Sequence, residues 1–357
     1  MASSAIVVGA GIIGAAIAYH LVQRGARVTV IDAAEPGGLA TRASWAWINA
    51  SWGNPRFYFQ FRTRSMQEWR RLDEELGGLL LRWCGGLLWD LPQDRLEAFA
   101  REHHSWGYGI RRVDRAEAQR IEPNIQGLPE LAVHVDKEGV VEPLAATQAL
   151  LSAARGLGAE VRGHMHVKRL LSSSGVVHGI ETEHGRLEAD HVVLAAGAGV
   201  PPLAASIGVR VPLTTPAGLL VQSKPVGKLL NGLVLAPELH VRQTAEGRLV
   251  AGSDFGGAEP GGDPETTARV LFAKLKALVR GGEPLEYDFF TLGYRPTPAD
   301  QYPIIGAVPD ITGLYIAVMH SGITNAAAAG LCAAREILEG EREELLSPFG
   351  IERFSAR

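Results

Sequence analysis

The chain has 357 residues, 35 Lys and Arg against 39 Asp and Glu for a formal net charge of −4, a 46% apolar composition and 42 glycines. With a pI near 6.3 and no block of Lys or Arg, it lacks the basic footprint of a nucleic-acid binder, and no stretch reaches the roughly 18 apolar residues of a membrane span. Two cysteines, Cys84 and Cys332, cannot build a disulfide framework and form no Cys-x-x-Cys, so a reducing, cytoplasmic setting is expected.

In chain order, a short apolar strand over 5–8 runs into Gly9-Ala10-Gly11-Ile12-Ile13-Gly14. A helix is predicted over 15–24, stopped by Gly25, and a β-branched strand over 27–31 ends on Asp32. A Gly- and Pro-rich loop at 35–39 and an aromatic, small-residue stretch at 44–52 precede a helix over 57–76, in which Phe57, Phe61, Trp69, Leu72 and Leu76 share a face. Short strands and one helix, 93–106, fill 79–130. A helix over 143–158 follows, then strands over 160–171, 176–183 and 187–194, the last leading into Ala195-Ala196-Gly197-Ala198-Gly199. Residues 208–290 read as β segments punctuated by Glu246-Gly247, Gly256-Gly257 and Gly261-Gly262, with one helix over 264–279. A strand over 313–318 and an alanine-rich helix over 323–338, closed by Gly340, end the pattern. The length suits about two domains, and with no repeat or low-complexity linker between them they are expected to interleave. His164-Met165-His166 lies in an alternating segment with no third ligand nearby, so no metal site is expected.

Gly9, Gly11 and Gly14 supply G-x-G-x-x-G directly after a strand and at the start of a helix. The first glycine permits the tight turn, the second lets backbone approach a pyrophosphate, and the third lets helix pack on strand. The helix start offers free N–H groups and the positive end of its dipole to phosphate. Asp32, 18 residues beyond Gly14, ends the second strand where an acid binds ribose hydroxyls. This motif fits NAD and FAD equally.

The downstream run Leu187-Glu188-Ala189-Asp190-His191-Val192-Val193-Leu194-Ala195-Ala196-Gly197-Ala198 resembles the late strand of FAD oxidoreductases. Three further blocks carry the likeness: Thr41-Arg42-Ala43-Ser44-Trp45-Ala46; Gly293-Tyr294-Arg295-Pro296 through Asp300-Gln301-Tyr302-Pro303-Ile304-Ile305-Gly306; and Gly313-Leu314-Tyr315-Ile316-Ala317 with His320-Ser321-Gly322-Ile323-Thr324. With these the chain resembles the D-amino-acid-oxidase superfamily, in its glycine-oxidase and sarcosine-oxidase-like branch. The resemblance implies an α/β fold in which a Rossmann-type FAD-binding domain (1–78, 139–207 and 291–357) interleaves with a mixed α+β substrate domain (79–138 and 208–290) dominated by an antiparallel sheet.

It also implies a non-covalent FAD. Ile12, Ile13, Ala33, Ala196 and Gly197 would lie along the dinucleotide, Thr41, Arg42, Ala43 and Ser44 at its diphosphate, and Trp45, Ala46 and Trp47 at the isoalloxazine. The Val167 backbone would meet adenine, and His320, Ser321, Gly322, Ile323 and Thr324 would surround the flavin pyrimidine edge. The cysteine that carries covalent flavin in sarcosine oxidases falls at Leu292 here, which excludes that linkage. Arg295 would grip a substrate carboxylate, a role suited to a planar fork that keeps its charge, and would sit close to the flavin. Tyr294, Tyr302 and Tyr287 are candidate hydroxyl contacts, Trp47 and Asn49 reach the substrate side, and His240 stands where many relatives have tyrosine.

The implied reaction oxidises the C–N bond of an amino acid or amine by hydride transfer to flavin N5, giving an imine. The chemistry is flavin-centred, with no protein base named. Oxygen, a quinone or a partner protein would take the electrons. The alternatives are a flavoprotein subunit that passes electrons to a partner, a plain-amine dehydrogenase without carboxylate recognition, and an NAD-linked dehydrogenase.

Overall fold

The computed structural model describes residues 2–254 and 256–354. Strand Ser4–Val8 lies at the centre of a six-stranded sheet. Across that sheet the order is Ile304–Ala307, Leu314–Val318, His191–Leu194, Ser4–Val8, Arg27–Ile31 and Glu160–Arg162. All pairings are parallel except that of the Ile304–Ala307 edge strand. Parallel strands buried on both faces read as continuous apolar runs, as Ala5–Val8 does.

One face of the sheet carries the helix Ile12–Gln23, packed between Pro143–Gly156 and Gly322–Glu339. Every residue from Ile12 to Val22 is buried, which explains why this helix is apolar all round rather than striped. The other face is covered by an antiparallel trio, Val167–Ser173, Val176–Thr182 and Gly185–Glu188, through Val167, Leu170, Val177 and Ile180.

The second body is an eight-stranded, mainly antiparallel sheet. Its order is Tyr287–Tyr294, Ala217–Ser223, Leu249–Gly252, Leu239–Gln243, Leu233–Ala236, Gly86–Leu88, Leu131–Val135 and Ile110–Asp114. Two distant stretches of chain thus build one sheet, joined by the parallel pairing of Leu233–Ala236 with Gly86–Leu88. The edge strand Tyr287–Tyr294 runs unbroken past residue 290 and delivers Arg295 to the junction with the parallel sheet. The molecule is an α/β protein with a Rossmann-type domain interleaved with a mixed α+β domain.

Several elements differ from the sequence reading. The strand expected over 160–171 breaks at Gly163 and His164, the latter at φ +52°, so Glu160–Arg162 extends the parallel sheet and Val167–Ser173 begins the antiparallel trio. The run 187–194 divides at Ala189 and Asp190, whose carboxylate accepts from Ser4 N at 2.8 Å and Ser4 Oγ at 2.7 Å. A second helix, Arg115–Ile121, adds to the one expected in 79–130. A short helix, Leu39–Arg42, occupies the end of the expected loop. Among the described residues no helix is long and apolar enough to cross a membrane.

Candidate functional site

A cavity of about 1210 Å³ runs between the two bodies, from Asp32 and Val167 at one end, across the glycine turn, to Arg295 and His320 at the other. Its floor is set by backbone packing. Gly9 has φ +109°, and a Cβ there would run into the Ala195 carbonyl; a Cβ on Gly14 would overlap the Gly9 carbonyl. Gly11 opens the helix with no side-chain cap, and its own Cβ position faces Thr41 Oγ1 at 3.3 Å and Gly38 Cα at 3.6 Å. These glycines keep a backbone-lined trough open at a helix N-terminus, which fits an anionic pyrophosphate.

Asp32 accepts from Ala10 N at 2.7 Å and Ala34 N at 2.9 Å, so it shapes the turn as well as facing the cavity. Thr41 is tied to the same turn, accepting from Ile12 N at 3.2 Å. Ile12, Ile13, Ala33, Ala43, Ser44, Ala196 and Gly197 also line the wall. The donor set and the backbone trough fit FAD, which would be held by the first helix, the 38–47 segment, the 195–199 turn and the start of the last helix.

The middle of the cavity is walled by Trp45, Ala46 and Trp47. Trp45 donates from Nε1 to Val250 O at 3.2 Å. Trp47 donates from Nε1 to Glu138 Oε2 at 2.9 Å. Glu138 is fully buried and also accepts from Tyr108 OH at 2.8 Å, Ser51 N at 3.1 Å and Ala50 N at 3.3 Å. Burial pushes the Glu138 carboxyl above the usual carboxylate range despite these donors, and burial together with Glu138 pushes Tyr108 well up. One carboxylate therefore fixes the course of the 47–51 segment.

At the far end the wall holds Arg295, Tyr294, Tyr302, Asn49, Tyr58, Arg62 and His320. The Arg295 side chain lies against Gly256, where a Cβ would overlap Nη1, and its buried Nε has no hydrogen-bond partner. Arg62, only 4% exposed, donates from Nε to Asn49 O at 2.9 Å, from Nη1 to Tyr58 OH at 3.2 Å, and from Nη2 to Asn49 Oδ1 and Thr324 Oγ1. Thr324 in turn donates to Trp47 O at 2.9 Å. Burial, with the charges of Arg62 and Arg295, pushes His320 down to about 4, so its imidazole is neutral at pH 7. The last helix begins beside it after Ser321, at φ +57° and with no side-chain cap, leaving its first N–H groups toward the cavity. Gly322 and Ile323 complete this wall.

Four of the residues singled out in the sequence lie off the wall. Gly14 packs beneath the turn, and Arg42 turns outward to Pro36 O at 3.2 Å. His240 is buried in the sheet with Nε2 3.1 Å from Asp90 Oδ2, its ring tilted against Trp45 at 6.0 Å. Tyr287 packs on Phe272. Conversely, Arg62, Tyr58 and Glu138 were not foreseen. Arg62 had a readable signal: Tyr58, Arg62, Ser65, Trp69 and Leu72 follow the spacing of one helical face, and that face is the buried one.

The sequence model of the FAD-dependent oxidoreductase (DAO) family matches residues 4–336. A glycine oxidase of Bacillus licheniformis is 30% identical over 365 residues, covering 98% of this chain and 97% of that protein. An L-amino acid deaminase from Proteus vulgaris superposes with a TM-score of 0.91 at 21% identity, covering 99% and 94%. An iminodiacetate oxidase from Chelativorans sp. BNC1 has a TM-score of 0.83 at 25% identity, covering 97% and 98%.

Proposed function

Given that the chain belongs to the family of FAD-dependent oxidoreductases, we propose that it oxidises the C–N bond of an amino acid or carboxylated amine, yielding an imine. The observation that carries this reading is Arg295: a guanidinium at the cavity wall with a buried, unbonded Nε and no ion pair among the described residues. Such a group is matched by a carboxylate, which it would grip bidentately. The substrates named for the similar proteins, glycine, L-amino acids and iminodiacetate, all carry one.

When bound, FAD supplies the acceptor for the hydride that leaves the carbon next to nitrogen. The chain's part is orientation. Arg295 would anchor the carboxylate, Tyr302 and Asn49 would bound the amine side, and the Trp45–Trp47 wall would exclude water. His320 stays neutral and adds no third positive charge near the arginines. We assign 1–78, 139–207 and 291–357 to the FAD-binding domain and 79–138 and 208–290 to the substrate domain. FAD would be held without a covalent bond, since Leu292 offers no nucleophile. Two free cysteines, one buried and one partly so, fit a reducing compartment such as the cytoplasm.

The test is anaerobic mixing of the purified yellow protein with amino acids, N-alkyl amino acids and plain amines, following loss of the flavin's visible absorbance. Bleaching by carboxylated amines is expected. Bleaching by plain amines alone, or a protein that binds no flavin, would refute the proposal. Repeating the productive mixtures in air and with a quinone dye identifies the electron acceptor.

A further inference from the structure

The cavity's far end is charged in a way that one substrate carboxylate does not explain. Arg62 is as much a part of that wall as Arg295, and is more deeply buried. Its four hydrogen-bond acceptors are all neutral: the Asn49 carbonyl, the Asn49 amide oxygen, the Thr324 hydroxyl and the Tyr58 hydroxyl. A guanidinium cannot shed its proton to escape burial, and a buried charge without a counter-charge is costly.

The acids near this wall form no ion pair with either arginine. Asp32 lies at the opposite end on the glycine turn. Asp300 is paired with Arg353 at 2.7 Å, and Asp254, exposed beside the Arg295 guanidinium, accepts from Gly256 N at 2.6 Å. Glu138, off the cavity wall, accepts from four neutral donors. Among the described residues, neither Arg62 nor Arg295 has an ion pair. Both also act on the His320 imidazole, which lines the same cavity, so the two charges share one space. The ring of Tyr58, against which the Arg62 guanidinium rests, packs on Tyr302 at 5.6 Å, which links Arg62 to the segment that carries Arg295.

We infer that Arg62 binds a second anionic group of the substrate, so that the preferred substrate is an amine bearing two carboxylates. This rests on the carboxylated-amine reading above and narrows it. Arg295 takes one carboxylate and Arg62 the other, with the amine between them. Asn49 and Thr324 act as positioning residues that fix the Arg62 fork.

The test uses the FAD-loaded protein and two ethers that offer no amine to oxidise: oxydiacetate, with two carboxylates, and methoxyacetate, with one. Dissociation constants come from the perturbation of the flavin spectrum. The wild type should bind oxydiacetate at least about 30-fold tighter than methoxyacetate. Arg62→Gln should weaken oxydiacetate by roughly 100-fold while moving methoxyacetate by no more than about threefold, as expected when one partner of a buried charge pair is lost. Arg62→Lys should fall between, keeping charge but not the fork.

Equal affinity of the wild type for the two ethers overturns the inference without any variant, and leaves the carboxylated-amine reading standing. Equal losses of both ethers in Arg62→Gln also overturn it, as does an unchanged ratio with altered sulfite affinity of the flavin, which would assign the charge to the cofactor. Failure of both ethers to bind a flavin-loaded protein overturns this inference and the broader reading together.

Discussion

At the scale of single residues, Arg295 and Glu138 do different work and should fail differently. Arg295→Leu removes a charge aimed into the cavity, so FAD content should be kept while KM for a carboxylated amine rises by about 100-fold or more. Oxidation of any plain amine should hardly change, and steady-state kinetics with the two substrate types checks this. Glu138 is not among the residues that line the cavity; it holds the wall from behind. Glu138→Ala would take a buried acceptor from Trp47 Nε1, Tyr108 OH, Ser51 N and Ala50 N, leaving Ala50 N only its 3.3 Å bond to Tyr108 OH, at a cost of about 3 kcal/mol or more. Glu138→Gln restores volume but presents an amide N–H2 either to Trp47 Nε1 or to the cluster of three donors. It should therefore also lower the melting temperature and loosen FAD, as thermal melts and flavin release would show. Arg295 was legible in the sequence because it stands in a distinctive Gly-Tyr-Arg-Pro block. Glu138 was not, because Asp136-Lys137-Glu138-Gly139 reads as a solvated charged turn. Its burial arises only when Gly139–Val141 pairs with Trp47–Ile48, a contact between distant stretches of chain.

At the scale of elements, the two helices that open onto the cavity are locked together. A Cβ on Gly330 would stand 2.8 Å from the Ala16 carbonyl and 2.9 Å from its methyl, on a helix whose neighbouring Ala326, Ala327 and Ala329 are also fully buried. Gly330→Val should force the Ile12–Gln23 and Gly322–Glu339 axes apart at about 1–3 kcal/mol. Because both helices begin at the cavity, FAD affinity should fall with stability, although residue 330 is off the cavity wall; parallel melts and FAD titrations test the coupling. Helix existence was readable here from apolar pattern and glycine stops, the last helix ending on Gly340 at φ +72° as its sequence indicated. Strand partition was not. The stretches 160–171 and 187–194 carry strand-forming residues on both sides of a break, at Gly163-His164 and at Ala189-Asp190, and each changes sheet there. The missed helix Arg115–Ile121 did carry a local signal: Asp114 caps it, accepting from Glu117 N at 2.7 Å, in the Asp-x-x-Glu spacing of a helix start.

At the scale of the whole molecule, interleaving makes the cavity a junction between two bodies, and burial at that junction and beneath the first helix ties stability to pH. His320 is pushed down to about 4 by burial and the charges of Arg62 and Arg295. His20, on the first helix, is likewise pushed down to about 4 by burial and the charges of Arg71 and Arg24. In the unfolded chain both imidazoles protonate near their ordinary value of 6.5, so between 6.5 and 4 protons bind the unfolded state in preference. Stability must then fall as pH drops through that window, by as much as about 3 kcal/mol per histidine. Glu138 and Glu122 act in the opposite sense, since a raised carboxyl takes up a proton more readily when folded, but they stand against five imidazoles that burial holds below their ordinary value, His20, His103, His134, His191 and His320. Thermal melts of the FAD-loaded protein from pH 7.5 to 4.5 should show the decline, and His20→Gln should flatten it in part without altering the cavity wall. A melting temperature that stays level across the window in the wild type would mean that both imidazoles are solvated in the folded protein. Protonating His320 also adds a third positive charge beside Arg62 and Arg295. The same acidification should therefore tighten a dianionic ligand for as long as the fold holds, so affinity and stability are expected to move in opposite directions with pH.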